Sequence, residues 1–425
     1  MIFNLGWVFY HYTGIMVVDF PMLALIILGH TSKGKFRYYF PGISTPAIIL
    51  LVWGVITSLI ALEVGWALAE LSMILRAYLV FISVANNIKH VDDIKAMLKG
   101  FAAGVALEFF MAMWQWRLGP TPLLPFINEQ FHEWRATGTF YMPHYLANYL
   151  LVLMPILFRF LLYFKPPKKI MTTRYGILFS VSLLTFLITF ARGSWIAFAV
   201  SMSLVTVWSV INSKYRVRVK WALGLLVLGA GLLVVRYSDT IINQFGKERS
   251  DATSIRFDQI RTAKRLIKDN WLVGTGLGNY ELISPNYVYD YERADPRSWQ
   301  FSEMVHNSYL FFTSQLGIPG LLILIWGGYV CFKYGIKVVK SKISFFSNLG
   351  IAINTGFVGI AVAFIAGPDI KSAQLLIHIG MNVGLLIGMI AMEKNIKKYF
   401  CEASKTSTPE ELRTMMKKMD SMFAI

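Results

Sequence analysis

Long apolar stretches recur along the chain, and short connectors between them carry most of its charged residues. A stretch of about 20 mostly apolar residues is what an α-helix needs to cross the hydrocarbon of a membrane. Because lipid offers no hydrogen-bond partner to free backbone groups, such stretches must cross as helices. The sequence predicts eleven membrane spans, at 13–28, 45–62, 66–88, 100–118, 144–164, 175–190, 194–211, 221–235, 307–332, 348–366 and 373–392.

The net charge of +17 has two interpretations, and the position of the charges decides between them. In a soluble chain it would indicate a nucleic-acid partner, but only 15% of these residues are charged, against about a quarter in soluble domains. In a membrane chain, basic residues mark the connectors that stay in the cytoplasm. Every second connector here is basic, and these connectors with the tail hold 25 Lys and Arg against 7 Asp and Glu. We therefore expect membrane lipids as surroundings and no nucleic-acid partner.

One outer connector, 236–305, is too long to be a passive link. Its stretch 254–269 has apolar residues at helical spacing, and the whole segment holds ten basic and ten acidic residues. The sequence predicts an ordered outer cap without net charge. The predicted chain is an all-α polytopic membrane protein with one large outer loop domain. Its parts are an N-terminal transmembrane bundle, the cap with its amphipathic helix, C-terminal transmembrane helices and a cytoplasmic tail, at 1–235, 236–305, 306–392 and 393–425.

Arg192 and His306 are the first candidates for chemistry, because both lie at the outer ends of apolar stretches. An Arg at the edge of hydrocarbon usually faces the protein interior or a polar cavity, and a guanidinium binds phosphate oxygens through two hydrogen bonds. An interfacial Arg, or one paired with an acidic residue, is the alternative. A His can act as a general base near neutral pH, or can simply form structural hydrogen bonds. Arg256 begins the amphipathic stretch of the cap, where it lies either on a solvated face or toward an anion near Arg192.

Metal and nucleotide sites are not expected. The seven His are scattered, and no HExxH motif or Cys/His set exists, so we expect no metal and no other cofactor. The Gly-rich run 274–280 lacks the spacing and the strand context of a nucleotide-binding loop. Aromatic residues crowd the cap, Tyr280 among them, and such rings either stack on sugars or form an interfacial belt.

Four motifs, in order, resemble the O-antigen ligase superfamily, which includes Wzy-type polymerases and related bacterial O-oligosaccharyltransferases. The resemblance covers about residues 138–321. It implies a GT-C-like helical fold, usually with twelve spans where this sequence shows eleven, so the expectation is 11–12. The motifs are GTFYMPHYLA at 138–147, ARGS at 191–194, SIR at 254–256 with DNWLVGTGLGNY at 269–280, and HNSYL at 306–310 with LGIPGL at 316–321.

The resemblance also implies an activity. Such enzymes are metal-independent inverting glycosyltransferases, which move a glycan from a polyprenyl diphosphate carrier, such as undecaprenyl diphosphate, to an acceptor hydroxyl. The acceptor would be a lipid, such as lipid A–core, or a glycan, on the periplasmic face of the bacterial inner membrane. Arg192 and Arg256 look like the diphosphate-binding arginines of the family, and His306 looks like its general base. Further candidates for substrate binding are Arg261, Arg265, His144, Asn307 and Tyr280.

Other functions are compared with this ligase hypothesis. A Wzy-type polymerase of O-antigen or exopolysaccharide shares the motifs, and only the long cap and the single His306 motif favour a ligase. A polysaccharide transporter or flippase would usually show two pseudo-symmetric halves with broken helices, and the sequence shows no such repeat. A non-catalytic membrane scaffold would leave the Arg and the His on the same side unexplained.

Overall fold

The computed structural model describes residues 41–119, 135–163, 169–211 and 248–403. Over these ranges the secondary structure is helical throughout and contains no strand, which confirms the all-α prediction. Seven of the described helices are long and apolar enough to cross a membrane, and two shorter apolar helices accompany them. The protein is therefore a polytopic membrane protein. The predicted spans 13–28 and 221–235 lie outside the described residues, so the total of eleven stays a prediction.

The described helices are numbered in chain order, and nine of them coincide with predicted spans. Short 3-10 turns at Ser284–Tyr287, Ser298–Ser302 and Asp369–Lys371 connect some of them. The helices are α1 Ser44–Leu59, α2 Val64–Asn87, α3 Val91–Leu118, α4 Pro143–Tyr163, α5 Lys169–Leu187, α6 Arg192–Ile211, α7 Glu248–Asp269, α8 Tyr280–Ile283, α9 Asp290–Arg293, α10 Ser308–Val339, α11 Ser344–Ala366 and α12 Ala373–Ala403.

Helix α4 is the centre of the bundle, and nearly all of its side chains are buried. It packs against α5, α6 and α11, and α11 in turn packs against α6 and α10. On the other side α12 lies along α2, where Gly380, Gly384 and Gly388 recur at four-residue spacing. A Cβ at any of the three would collide with α2 or with the residue that follows it, so this stripe allows the two backbones to approach closely.

Connectors that the charge pattern assigns to the outer side meet at one end of the bundle. The turn before α2 is tied to the cap, since Glu63 N donates to Asn279 Oδ1 at 2.7 Å. Lys371, from the turn between α11 and α12, lies 3.2 Å from the carboxylate of Glu281 in the cap. Asn307 Nδ2 at the start of α10 donates to Ile365 O near the end of α11 at 3.1 Å. This end of the molecule carries the site described below.

Two polar residues inside α3 hold the loop that leads into α4. Gln115 Oε1 accepts from the backbone N–H groups of Thr137 and Gly138, at 2.9 and 2.7 Å. Glu108, seven residues earlier and on the same face, accepts from Thr139 N at 2.9 Å. The loop is therefore bonded to the C-terminal half of α3. Its first described residue, Arg135, donates from Nε to Thr189 O at 3.1 Å and so lies beside the turn that precedes α6.

The cap rests on a break in α10. Gly317 has φ 68° and ψ −178°, and Pro319 has no N–H to continue the helical hydrogen bonds. The Gly-rich run of the cap uses the carbonyls that this break leaves available. Thr275 N donates to Ser314 O and Gly276 N donates to Gln315 O, both at 2.9 Å. The described part of the cap, 248–305, is thereby joined to the transmembrane bundle by backbone hydrogen bonds.

Candidate functional site

A mainly polar cavity of about 140 Å³ opens among the outer helix ends. Its wall comes from six separate parts of the chain: the loop before α4, the start of α4, the turn into α6, the first half of α7, the residue that precedes the N-cap of α10, and the end of α11 with the turn that follows it. Among the residues in that wall are Arg135, His144, Arg192, Gly193, Ser194, Arg256, His306, Pro368 and Asp369.

Arg192 is the first residue of α6 and lies in this wall. The turn before it is tight: Phe190 has φ 50°, and Ala191 N donates to Thr189 Oγ1 at 3.3 Å. A Cβ on Gly193 would lie 2.7 Å from the Cβ of Ala366, so the start of α6 touches the end of α11. The ARGS motif therefore places its arginine between two helix ends rather than in lipid.

Three guanidinium groups face one another across the cavity. Burial and the charges of Arg192 and Arg256 lower the pKa of Arg135 to about 10. Burial and the charge of Arg192 also lower the pKa of Arg256. Arg135 therefore stays protonated at neutral pH, and the positive charges in this wall disfavour one another. A multiply charged anion such as a diphosphate fits this arrangement, because each guanidinium can donate two hydrogen bonds to its oxygens.

His306 is held by Gln259 of α7, a buried residue that the sequence does not single out. The amide Nε2 of Gln259 donates to Gln300 O at 3.0 Å, and its Oε1 lies 2.8 Å from His306 Nδ1. A carbonyl only accepts, so the bond to Gln300 fixes which way the amide points, and the bond to Oε1 requires a proton on Nδ1. The other ring nitrogen, Nε2, then carries the lone pair when the ring is neutral.

The ring of His306 is neutral at physiological pH. Burial and the charge of Arg256 lower its pKa to about 4, although the Met304 carbonyl acts in the opposite direction. A neutral imidazole with a defined tautomer in the wall of a polar cavity is able to accept a proton from a substrate hydroxyl.

His144 and Asp369 lie next to each other in the wall of this cavity. His144 Nε2 at the start of α4 lies 3.7 Å from Asp369 Oδ1 in the turn after α11. Burial raises the pKa of Asp369 to about 8, against the opposing effects of the Asn148 amide and of its own backbone N–H. Asp369 is the one carboxyl group among the described residues in this wall, and it is largely protonated at neutral pH.

Four of the predicted site residues share this cavity and four do not. The four that line it are Arg192, Arg256, His306 and His144. Each of the others has a structural contact elsewhere. Arg261 pairs with Asp258 at 2.7 Å, Arg265 pairs with Glu292 and stacks on Tyr289, Asn307 caps α10, and Tyr280 is buried against Phe311.

Arg135, Asp369 and Gln259 belong to the site but were missed from the sequence. Arg135 lies three residues before the GTFYMPHYLA motif, and Asp369 lies in the short outer turn between two spans, so an outer position was the one signal available for both. Gln259 lies three residues after Arg256, almost one helical turn away, which places it on the same side of α7. In the described part of the chain, no group of three or more His, Cys, Asp or Glu side chains is arranged to hold a metal ion.

Residues 177–325 match the family model for O-antigen ligase. This match supports the resemblance of the chain to the O-antigen ligase and Wzy superfamily. The matched segment runs from α5 to α10 and contains Arg192, Arg256 and His306, whereas Arg135, His144 and Asp369 lie outside it. No curated protein matches the chain significantly. The match supports glycan transfer of the ligase or polymerase type in general, with lipid-linked glycans as the class of substrate.

Proposed function

We propose that the protein transfers a glycan from a polyprenyl diphosphate carrier to an acceptor hydroxyl at the outer face of the membrane. The observation that supports this most is that Arg192, Arg256 and His306 line one polar cavity, although 114 residues separate the first from the last. A cluster of arginines beside a neutral histidine matches what such a transfer needs: cations for the departing diphosphate and a base for the incoming hydroxyl.

In the proposed reaction the acceptor oxygen attacks the anomeric carbon of the carrier-linked sugar, and that centre inverts. The bond from the anomeric carbon to the diphosphate oxygen breaks, and its electron pair leaves with the carrier diphosphate. His306 Nε2 takes the proton of the acceptor hydroxyl. Gln259 stabilises the resulting imidazolium through the bond at Nδ1, and Arg192 and Arg256 stabilise the charge on the diphosphate. This scheme requires neither ATP nor a metal ion.

We further propose that the enzyme is a ligase in the bacterial inner membrane, with its site facing the periplasm. The basic connectors in the described part of the chain support this orientation, since those after α2 and α10 follow helices that begin at the end of the bundle where the cavity lies. The acceptor would be lipid A–core or a comparable lipid. A Wzy-type polymerase, which joins repeat units on the carrier, is the second candidate because it belongs to the same superfamily.

The product of a defined reaction distinguishes the two. Purified protein in lipid nanodiscs is given an undecaprenyl diphosphate–linked oligosaccharide and lipid A–core. Glycan on lipid A–core identifies a ligase, and longer carrier-linked chains identify a polymerase. The absence of both products, from protein that is folded and supplied with the matching sugar, would contradict the proposed function.

Two arginines on α7 provide a matched test of the anion site. Arg256 lines the cavity, whereas Arg261 on the same helix is 65% exposed and pairs with Asp258. We expect Arg256→Ala to lower kcat/KM for transfer by about 100-fold or more, because it removes a donor to the leaving group, and Arg261→Ala to stay within about twofold. The quantity measured is the rate of glycan transfer. Equal effects of the two substitutions would contradict the assignment of Arg256.

A further inference from the structure

We propose that Asp369, His144 and Asn148 form a binding subsite for a hydroxyl group of the hexose that is bonded to the carrier diphosphate. This inference rests on the proposed function and adds the part of the donor that the arginines do not contact. It assigns a role to three side chains that lie outside the segment matching the O-antigen ligase family.

The three side chains form one cluster. His144 and Asn148 are four residues apart on α4, so they share a face of the helix and both point toward the turn between α11 and α12. His144 Nε2 lies 3.7 Å from Asp369 Oδ1, and the amide of Asn148 acts on the same carboxyl group. Two of the three, His144 and Asp369, line the cavity that also contains Arg192 and Arg256.

Four polar atoms of this cluster are buried without a well-formed hydrogen bond to the protein. Asp369 is 2% exposed and Asn148 is fully buried. Within the described residues, His144 Nε2, Asp369 Oδ1 and both amide atoms of Asn148 make no hydrogen bond of ordinary geometry, although the Asn148 amide is close enough to the Asp369 carboxyl to oppose the rise in its pKa. Most buried polar atoms in proteins are hydrogen-bonded, so four such atoms around one point indicate a site that a polar ligand completes.

Other buried asparagines of the bundle show the ordinary structural role by contrast. Asn354 Nδ2 donates to Gly350 O at 2.7 Å, and Asn382 Nδ2 donates to His378 O at 2.9 Å. Each amide thereby bonds to the carbonyl four residues earlier in its own helix. Asn148 makes no such bond within its own helix in the described structure, and its amide lies beside the Asp369 carboxyl group instead.

The turn that carries Asp369 is held in place next to His306. Ser308, the first residue of α10, donates from Oγ to Gly367 O at 2.7 Å and accepts from Ile370 N at 3.2 Å. The residues on both sides of Asp369 are thus bonded to Ser308, which lies two residues after the proposed base His306. Groups fixed in this way bind a ligand without a cost for ordering them.

A sugar hydroxyl is the ligand class that fits best. A hydroxyl donates one hydrogen bond and accepts others, while an imidazole nitrogen, an amide and a carboxyl group together offer both donors and acceptors. The hexose is one bond away from the diphosphate. If Arg192 and Arg256 bind that diphosphate, the ring lies next to it, and His144 and Asp369 belong to the wall of the same cavity.

Binding measurements with two carriers test the proposal. The full-length protein in nanodiscs is titrated with undecaprenyl diphosphate and with undecaprenyl diphosphate–glucose. We expect Asp369→Ala to weaken binding of the glucosyl carrier by about tenfold, the size of one lost hydrogen bond, and to change binding of the bare carrier by less than about twofold. Arg192→Ala should weaken both. An equal loss for both carriers, or no loss for either, would overturn the subsite.

Asn148 and Asn382 provide the matched control, since both are fully buried and only the first lies in the cluster. Asn148→Ala should reproduce the sugar-dependent loss, and Asn382→Ala should not. An effect of Asp369→Ala on KM for the acceptor alone would assign the cluster to the acceptor and overturn its assignment to the donor.

Wild-type protein gives a second measurement that does not depend on the folding of a variant. Monodeoxy analogues of the glucosyl carrier are titrated in turn, and we expect the loss of one hydroxyl to weaken binding by about tenfold. The same analogue should cause no further loss with Asp369→Ala. Equal affinity for all analogues contradicts the subsite alone, whereas failure of the wild type to bind undecaprenyl diphosphate contradicts the proposed function as well.

Discussion

Two residues of the cap act on His306: Gln259 fixes its tautomer, and Arg256 affects its protonation. Gln259 is oriented by Gln300 and leaves His306 Nδ1 only the role of donor. Burial and the nearby charge of Arg256 disfavour the imidazolium and lower the pKa of His306 to about 4. The ring is therefore available as a base over the whole physiological range. It is also a weaker base than an exposed histidine, so its position matters more than its basicity.

The pH dependence of kcat/KM reports this pKa, because kcat/KM reflects ionisations of the free enzyme. Below its pKa His306 is protonated and cannot act as a base, so activity falls on the acid side. We expect the acid limb near pH 4 and not near the ordinary histidine value of about 6.5. An acid limb near pH 6.5 would contradict either the buried position or the role as base.

Gln259→Leu tests the hydrogen bond directly. Without the carbonyl acceptor the ring no longer has a fixed tautomer, and the imidazolium formed during transfer loses a partner. We expect kcat to fall by about tenfold while KM for the donor changes little, since the arginines remain. Asp258→Asn, one residue away on α7, serves as the control for damage to the cap. A change in KM without a change in kcat would indicate a purely structural role.

A local break in helix α10 provides the carbonyls to which the cap is bonded. At Gly317 the backbone leaves the helical conformation, and the carbonyls around the break find donors elsewhere. Gln315 O accepts from Gly276 N, and Leu316 O accepts from the indole of Trp53 at 2.8 Å. The Gly-rich run of the cap is thus a docking turn. No nucleotide is expected there from the sequence, and only the structure shows that its N–H groups bond to carbonyls of α10.

Two glycines of α10 allow a controlled test of this break. Gly317 has φ 68°, and a Cβ there would collide with the backbone carbonyls of Leu272 and Trp271. Gly328 lies farther along the same helix with open space around it. We expect Gly317→Ala to cost about 1–3 kcal/mol of stability or more, and Gly328→Ala to be neutral or to stabilise by up to about 1 kcal/mol. Thermal unfolding of the solubilised variants measures both. Equal melting temperatures would contradict the account of the break.

At the scale of the whole molecule, the distribution of charge and the contacts between connectors both separate a basic side of the bundle from an outer side that carries the cap. The basic connectors hold nearly all of the excess charge, and the cap holds none. Connectors assigned to the outer side contact one another, as Glu63 contacts Asn279 and Lys371 contacts Glu281. Any attraction of the cavity for an anion therefore comes from the few arginines in its wall and not from a general positive field.

Cysteine labelling tests the threading. Asp290 in the cap has a side chain that is 99% exposed, and Lys340 follows α10 at the opposite end of the bundle. Single cysteines are introduced at these positions after Cys331 and Cys401 have been replaced by Ser. With a membrane-impermeant reagent we expect Asp290→Cys to react from outside intact cells, and Lys340→Cys only in inverted vesicles. Reaction of both from one side would show that the threading is wrong.

The sequence by itself determined the helical class and nine spans that coincide with described helices, and it indicated four residues that line the candidate cavity. These follow from rules that act along the chain: apolar length sets a span, charge sets its side, and an Arg or His at the edge of hydrocarbon needs a polar surrounding. Arg192, Arg256 and His306 could be proposed on these grounds together with the family motifs.

The tertiary structure alone decided which residues share the cavity. Arg256 and Arg261 carry the same charge on the same helix, α7. Arg256 nevertheless shares the cavity with Arg192, whereas Arg261 pairs with Asp258. Asp369 meets His144 across 225 residues of chain, and Gln259 meets His306 across 47. The physical reason is that a binding site is defined by what lies opposite each side chain, and helix packing brings together segments whose spacing in the sequence carries no trace of the contact.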